Sequence, residues 1–263
     1  MNLLFESPSW ILSCAIVVTV SVLVALFALH WIRKHVPTES LQKNHDLVKC
    51  CLGMLGALYS IILGFTVVNV QDRYNKAFET VQTEAITLVD LYREASLFTE
   101  KETIRKSLRD YVDYVIREEW VFLKKHMIHP HTYKFIAKIW NAYYSVDLSD
   151  QREQIWYQES INRLNNFLDA RLAKHFSSSN HLGSMMWTLL IFGGLINICL
   201  LLFFSFESAK NQRLIVALPV AYLAFMLNMV YSLDNVFQGP QGIKPVAFQE
   251  AIELFDRWDE IKE

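Results

Sequence analysis

The residues most able to take part in ion passage lie in the second apolar stretch of the chain and directly after it. This stretch carries small residues at helical spacing, namely Gly53, Gly56, Ser60 and Gly64. Small residues allow a second helix to approach closely, which is one interpretation of the pattern. The other is that several copies of the helix surround a narrow axial path, with Ile61 and Phe65 as an apolar constriction. Polar and charged residues follow where the mouth of a pore would need them: Asn69, Gln71, Asp72 and Arg73.

Polar residues deep in the other apolar stretches are few. Asn197 and Asn228 each stand alone in an apolar sequence, where an amide more often hydrogen-bonds a neighbouring helix than lines an ion pathway. No apolar stretch has Asp, Glu, Lys or Arg at its centre. Ion-coupled transporters usually carry such a charge within the membrane, whereas a passive pore needs none, so the sequence favours passive permeation.

Catalytic and metal-binding groups are weakly represented. His126, His129 and His131 could hold a metal, but their position beside a proline is more typical of a solvated turn. The sequence has neither a Gly-rich phosphate loop nor a Cys-x-x-Cys pair, and no helix carries paired histidines at catalytic spacing. Glu118 and Glu119 resemble the solvated face of a helix. We therefore expect no metal site, no cofactor and no enzymatic activity.

The composition indicates which elements must position these residues. Of the 263 residues, 52% are apolar and only 20% are charged, which is typical of a membrane protein. Eight glycines and six prolines are too few for a turn-rich β-structure, so we expect an all-α membrane protein. The net charge of −2 gives no reason to expect a nucleic-acid partner.

Four stretches are apolar and long enough to cross a ~30 Å hydrocarbon layer as helices, at ~1.5 Å per residue. They cover about residues 9–32, 50–70, 183–206 and 214–233. The chain should therefore divide into an N-terminal transmembrane hairpin (1–70), a helical insert outside the membrane (71–182), a C-terminal transmembrane hairpin (183–233) and a C-terminal turn and amphipathic helix (234–263).

The insert is predicted to be a helical bundle continuous with the second span, because residues 66–129 contain neither glycine nor proline. Thr99 with Glu102 predicts a capping box at the start of its next helix. The helix that prolongs the second span carries an apolar stripe that needs partner helices: Val70, Tyr74, Ala77, Phe78, Val81, Ala85, Leu88, Tyr92 and Ala95. The last helix, from Pro245, has a similar apolar side and either docks on the bundle or lies on the membrane surface.

Basic residues predict the orientation in the plasma membrane. They crowd the two short loops between the predicted spans: Arg33, Lys34, Lys43 and Lys49 in the first, Lys210 and Arg213 in the second. By the positive-inside rule both loops are cytoplasmic, which places the insert and both termini outside the cytoplasm. The opposite orientation, with a cytoplasmic insert, is the alternative.

Short motifs at both ends of the chain indicate a family. They are Asn44-His45-Asp46, Gly56-x-Leu58-Tyr59, Leu63-Gly64-Phe65, the segment 71–95 with its Glu84-Ala85 and Leu91-Tyr92-Arg93, Leu233-Asp234-x-x-Phe237-x-Gly239 and Pro245-x-x-Phe248. Together they resemble a bacterial family of bestrophin-like inner-membrane proteins. The run Leu63-Gly64-Phe65 with Arg73-Tyr74 is also similar to the corresponding part of the bestrophin anion channels.

The resemblance to bestrophins implies an anion channel whose second span lines a hydrophobic neck. Four residues would then line the pore and two would stand at its mouth: Ala57, Ile61, Phe65 and Asn69, then Asp72 and Arg73. Two features depart from the bestrophin pattern. Bestrophins have a cytosolic insert, opposite to the positive-inside prediction, and the acidic calcium clasp of animal members has no counterpart here beyond Asp234.

Two functions stay open from the sequence. The first is a homo-oligomeric channel in contact with membrane lipid, through which inorganic ions pass, with anions implied by the resemblance. The alternative is a non-conducting membrane scaffold or sensor whose helical insert binds a partner. The first predicts a path along the oligomer axis, and the second predicts an axis filled by side chains, or a monomer.

Overall fold

The protein is all-helical. The structure is a computed structural model that describes residues 8–36, 45–127, 130–148, 151–204 and 209–261, of which 87% are helical and none forms a strand. This confirms the all-α class that the low glycine and proline content predicted. Lys43, Asn44 and His129 lie outside the described residues.

The α-helices of the described residues are, in chain order, α1 Pro8–His35, α2 His45–Glu94, α3 Lys101–Tyr114, α4 Trp120–Leu123, α5 Thr132–Tyr144, α6 Gln151–Ser179, α7 Ser184–Phe203, α8 Ala209–Asp234 and α9 Val246–Glu260. A 3-10 turn, Ala95–Leu97, follows α2, and a π-helical turn, Val115–Glu119, joins α3 to α4. Within the described part of the chain, four helical stretches are long and apolar enough to cross a membrane, in agreement with the four predicted spans. They contain α1, α2, α7 and α8.

The described residues form two compact units. The first contains those of 1–72, 181–235 and 239–242, and the second contains those of 73–180, 236–238 and 243–263. The 50 residues of α2 contribute to both, since the first unit ends at Asp72 and the second begins at Arg73 within this helix.

In the first unit, α1 and α8 pack against each other as antiparallel helices along most of the length of α1. Near the start of α1, the indole N–H of Trp10 donates to Ser232 Oγ at 3.3 Å, and near its end Arg33 Nε donates to Gln212 Oε1 at 2.5 Å. Between these contacts lies an apolar core that α7 also enters, formed by Ala25, Leu29, Ile32, Leu201, Leu202, Val216 and Val220. The buried residues of this core therefore come from α1, α7 and α8, and Leu52 of α2 packs against them.

The fourth apolar helix, α2, packs on α7 and α8 through Tyr59, Leu63 and Val70, and Tyr59 makes the most specific of these contacts. The Tyr59 hydroxyl donates to the backbone carbonyl of Leu190 in α7 at 3.0 Å. Its ring lies so close to Gly193 that an added Cβ there would come within 2.8 Å of ring atom Cδ2. At Gly194 a Cβ would lie 3.2 Å from the Tyr59 hydroxyl oxygen. The two glycines of α7 therefore permit the close approach of α2.

In the second unit, α2, α3, α5, α6 and α9 surround an apolar core. The stripe predicted along α2 faces this core: Ala77, Val81, Ala85, Leu88, Tyr92 and Ala95 are buried. Phe78 is the exception, because 45% of its side chain is exposed. In this unit the predicted stripe is therefore buried at six positions and partly buried at Tyr74, and Phe78 alone among its members is exposed.

The capping box predicted from Thr99 and Glu102 is wrong. Glu100 occupies the N-cap position of α3 and makes no side-chain hydrogen bond there. Because α3 begins one residue later than the motif requires, Thr99 lies outside it and donates to Glu153 Oε1 at 3.2 Å.

The C-terminal helix α9 docks within the second unit, which confirms the first of its two alternatives. The ring of Phe255 stacks on Tyr92 with centroids 3.9 Å apart. Arg105 Nη1 lies 2.8 Å from Asp259 Oδ1, and Arg109 Nη1 donates to Asp256 at 2.6 Å. Aromatic stacking and ion pairs therefore hold α9 against α2 and α3.

Candidate functional site

Within the first unit, α2 has one buried face and one exposed face. The buried side chains are Tyr59, Leu63, Thr66 and Val70, none more than 9% exposed. On the other side of the helix, Ile61 is 56% exposed, Phe65 74% and Val68 67%. At 3.6 residues per turn these two sets point in nearly opposite directions. The exposed set, Ile61, Phe65 and Val68, is called the exposed strip below.

The predicted pore residues extend the exposed strip in both directions. Ala57, Ile61, Phe65, Asn69 and Asp72 are all exposed, and Arg73 is partly buried. One helix thus brings the four residues predicted to line a pore onto one side of the protomer.

The small residues predicted for helix packing lie beside this strip. Gly53, Ser60 and Gly64 are exposed, and a Cβ added at Gly53 or Gly64 would meet no atom within 4 Å. At Gly56 a Cβ would lie 3.4 Å from Asn197 Oδ1. Contacts of Gly53, Ser60 and Gly64 with a second protomer stay a prediction.

The close packing at Gly193 and Gly194 was not predictable from the sequence. A lone Gly-Gly pair in an apolar run has no periodicity that would single it out. The positions of the Tyr59 side chain and, at Gly194, of Leu223 show why a larger residue fits poorly there.

The exposed surface of α2 differs from that of α1. The exposed side chains of α1 include the large apolar Leu12, Leu23, Val24 and Phe27 and the small polar Ser13 and Thr19, but no glycine. The exposed side of α2 includes glycine, serine and asparagine among its large apolar residues. Acyl chains give no reason for the exposed glycines, which α1 lacks, so this side of α2 is suited to contact another helix.

A buried ionic network lies in the second unit. Lys174 Nζ is 2.8 Å from Glu84 Oε2 and 2.9 Å from Glu119 Oε1, and all three side chains are fully buried. Arg171 Nη2 lies 3.7 Å from Glu119 Oε2, and the Tyr111 hydroxyl donates to Glu84 Oε1 at 2.5 Å. Two carboxylates therefore face two cations, so the buried charges compensate one another.

The prediction that Glu119 is solvated is wrong, whereas Glu118 is exposed as expected. Glu119 ends the π-helical turn Val115–Glu119, which contains an extra residue relative to an α-helix and so rotates the residues after it. Its partner Lys174 lies on α6, more than fifty positions along the chain, where a local charge pattern cannot reveal it. Neither the turn nor the partner has a sequence signal that we recognised.

The electrostatics of the network keep Glu119 charged. Burial alone would raise the pKa of Glu119, but the charge of Lys174, a hydrogen bond from His175 and the charge of Arg171 outweigh burial and hold it well below its ordinary value. Burial, together with the charges of Glu84 and Glu119, raises the pKa of Tyr111 well above its ordinary value. Because these groups are paired and closed to solvent, the network is suited to holding helices together rather than to acid–base chemistry.

Of the histidines considered as metal ligands, His126 and His131 are described by the structure, and neither belongs to a cluster that could hold a metal ion. His126 Nδ1 contacts the backbone carbonyl of Ser178, and its Nε2 lies 2.6 Å from Gln238 Nε2. His131 is exposed. Among the described residues, no group of three His, Cys, Asp or Glu side chains is placed to hold a metal ion.

Comparison with known proteins identifies the family. Residues 14–248 match the family model of the Bestrophin-like domain, which is most of the chain. The chain belongs to the Bestrophin-like family. No match was found among curated protein sequences. With its four apolar helices, this Bestrophin-like chain is a membrane protein.

Solved structures show the same fold at low sequence identity. Two variants of a bacterial bestrophin homologue from Klebsiella pneumoniae are each 14% identical, with TM-scores of 0.68 and 0.67. Each match covers 94% of this chain and 98% of the other. A further structure, described as a membrane protein, is 13% identical with a TM-score of 0.64 and the same coverage. At these identities the likeness establishes the fold.

Asp234 has a structural role in this Bestrophin-like chain. It is the one acidic residue near the position of the calcium clasp of animal bestrophins. Its Oδ1 accepts the backbone N–H of Leu182 at 2.7 Å, and its Oδ2 accepts the indole N–H of Trp187 at 3.2 Å. Its side chain is buried. Asp234 therefore joins the end of α8 to the start of α7.

Replacing Lys174 by Met should strongly destabilise the second unit. The substitution leaves Glu84 and Glu119 buried without their shared cation, and breaking a buried ion pair on one side costs about 3–5 kcal/mol. Lys138→Met is the matched control, because the Lys138–Asp110 pair is at the surface and such pairs contribute under about 1 kcal/mol. Denaturant unfolding of the purified protein in detergent measures both. Equal losses in the two variants would contradict the structural role of the network.

The stability of the protein should depend on pH through Glu119. Because folding lowers the pKa of Glu119, its contribution is complete above the unfolded value of about 4.3 and is lost as the pH falls towards the folded pKa. Glu119→Gln should therefore reduce the fall in unfolding free energy between about pH 5 and pH 3. Glu118→Gln, at the exposed neighbouring position, should leave that fall unchanged. The same pH dependence in both variants would show that Glu119 does not carry it.

Proposed function

We propose that the chain forms a homo-oligomeric ion channel in which α2 surrounds the pore and through which anions pass. The observation that carries the proposal is the exposed strip of α2, at whose margins small and polar residues replace those that lipid would favour. Membership of the Bestrophin-like family supports the same function. An oligomer is required because one helix face cannot enclose a path.

The proposed pore has an apolar neck and a polar mouth. Ala57, Ile61 and Phe65 recur every fourth residue, so each would form a ring about 6 Å along the axis from the next. A narrow apolar ring controls permeation by excluding water. Asn69 would line the wider path beyond the neck, and the mouth would be formed by Asp72 and Arg73.

The proposed selectivity for anions agrees with the chemistry of the neck. The edge of an aromatic ring carries partial positive charge, so a ring of Phe65 side chains turned edge-on would favour an anion. No span carries a charge at its centre, so permeation would need no coupled proton or ion. A passive pore is the mechanism that fits these residues.

Small residues at the margin of the exposed strip support assembly. At ~100° per residue, Gly53, Ser60 and Gly64 lie on the flank of α2 next to Ile61. An adjacent protomer could bring its own helix against this flank without a steric clash. The flank would thus form contacts between protomers while the exposed strip faces the axis.

We propose that the first unit spans the membrane and that the second unit is the extramembrane bundle. Arg33 and Lys34 stand at the end of α1, and Lys210 and Arg213 at the start of α8. The positive-inside rule then places these helix ends in the cytoplasm, with the second unit and both termini on the other side.

Phe65→Ala should change anion flux several-fold. The substitution removes the largest side chain of the proposed neck and therefore widens the neck. It also removes the aromatic ring edge that would favour an anion. Phe27→Ala on α1 is the matched control, because Phe27 is 72% exposed and Phe65 74%. Chloride flux from liposomes containing the purified protein measures both variants against the unaltered chain.

Two outcomes would contradict the pore assignment. Equal effects of Phe65→Ala and Phe27→Ala would remove Phe65 from the permeation path. A chain that conducts no ion at any tested voltage or pH would leave the alternative of a scaffold or sensor whose bundle binds a partner.

Cysteine labelling should report the orientation. In a background without the native cysteines, Ser145→Cys on the exposed end of α5 should react on intact cells with a membrane-impermeant maleimide. Lys210→Cys, exposed at the start of α8, should react only after the membrane is permeabilised. The reverse pattern would establish a cytoplasmic bundle and overturn the positive-inside prediction.

A further inference from the structure

The turn that ends α4 is fixed by two backbone hydrogen bonds. The N–H of Met127 donates to the carbonyl of Phe122 at 3.0 Å, and the N–H of His126 donates to the carbonyl of Leu123 at 3.0 Å. This pair of bonds is the Schellman motif, in which the residue after the helix cap has a left-handed backbone. His126 has that conformation, with a φ of 57°. The turn therefore has one defined shape.

The side chains displayed by this turn are basic or apolar. Lys124, Lys125 and Met127 are exposed, and together they are called the basic tip below. Residues 120–146 contain four lysines and neither Asp nor Glu. Within the described part of the chain, neither lysine of the tip forms an ion pair, whereas Lys138 lies 3.4 Å from Asp110. The basic tip is thus a positive surface with one long apolar side chain.

Hydrogen bonds tie the basic tip to the two segments that continue into apolar helices. His126 Nδ1 contacts the backbone carbonyl of Ser178, and Gln238 Nε2 donates to the carbonyl of Lys124 at 2.7 Å. Both partners lie within three residues of the ends of segment 181–235, which belongs to the first unit and contains α7 and α8. The basic tip therefore lies at the end of the second unit from which these apolar helices continue.

The segments that meet the basic tip add no acidic residue. Neither 170–206 nor 235–249 contains Asp or Glu. The second of them exposes Lys244, which follows Ile243, and the carbonyl of Ile243 accepts the indole N–H of Trp120 at the start of α4 at 3.1 Å. Basic residues that no neighbouring carboxylate offsets give a surface a positive potential, which attracts anions.

We propose that the basic tip docks on the surface of an anionic phospholipid bilayer. Lys124 and Lys125 bind headgroup phosphates, and the Met127 side chain enters the boundary between headgroups and acyl chains. A soluble acidic partner would match the same lysines. The bilayer is favoured because the tip lies at the end of the second unit that continues into the apolar helices.

This proposal rests on the proposed placement of the second unit outside the membrane, and not on ion conduction. It does not depend on which side of the membrane the second unit occupies. The Schellman motif and the contacts of His126 fix the basic tip before it meets lipid, so docking costs little conformational entropy. The bound headgroups then hold the second unit against the bilayer at a point other than its covalent connections.

The test measures which lipid surrounds the basic tip of the full chain. A fluorophore is attached at Met127→Cys, in a background without the native cysteines, and the protein is placed in nanodiscs of phosphatidylcholine and phosphatidylglycerol in equal parts. A small, equal fraction of either lipid carries a nitroxide on its acyl chain near the headgroup. The anionic lipid should be enriched about fivefold at the fluorophore, the effect that one lysine near the bilayer is sufficient to produce. Salt at about 0.5 M should remove most of the enrichment, because it screens the charges.

Two double variants assign the enrichment to particular lysines. Lys124→Gln combined with Lys125→Gln should bring the two nitroxide lipids close to equal quenching. Lys101→Gln combined with Lys106→Gln is the matched control. It removes the same charge from α3, where acidic residues stand among the lysines, and it should keep the enrichment.

Three outcomes would overturn the proposal, and they are distinguishable. Strong but equal quenching by the two lipids would remove the anionic site and leave the placement of the second unit intact. Quenching by neither lipid would show that the basic tip lies away from the bilayer, and would overturn that placement as well. Equal loss of enrichment in the two double variants would show that Lys124 and Lys125 do not select the lipid.

Discussion

The packing of α2 on its neighbours is the constraint on which the rest of the structure depends. This helix supplies 50 residues to two units, and in each it is held by a different interaction. In the first unit the Tyr59 ring fits against Gly193 and Gly194, and in the second Glu84 shares Lys174 with Glu119. Both interactions fix the rotation of the helix about its own axis, and that rotation determines which residues form the exposed strip.

Charged side chains are placed differently in the two units. The first excludes them from the centres of its apolar helices, where desolvation in lipid would be costly. The second buries Glu84, Glu119, Lys174 and Arg171 together, because each charge has an opposite charge within reach. Apolar helices without central charges are compatible with the proposed passive pore, in which the protein would bind the permeating ion only weakly.

Periodicity and composition were enough to predict the four apolar helices and most of the stripe of α2, because burial imposes a repeat on the sequence. They did not reveal the buried charges. Glu119 lies at the end of a π-helical turn, and its partner Lys174 lies on a helix far along the chain. Nor did they reveal the close approach at Gly193, which depends on the Tyr59 ring. The residues of the candidate pore were predictable as a helix face, whereas the contacts of that face in the proposed oligomer are not encoded in a local pattern.

The central claim is that α2 surrounds the axis of an oligomer and leaves a path along it. A cryo-electron microscopy structure of the purified protein in lipid nanodiscs, with the radius measured along the symmetry axis, tests this most directly. The account predicts a ring of protomers with α2 innermost and the narrowest point between Ile61 and Phe65. A monomer, an axis filled by side chains, or an oligomer in which Ile61 and Phe65 face lipid would contradict it.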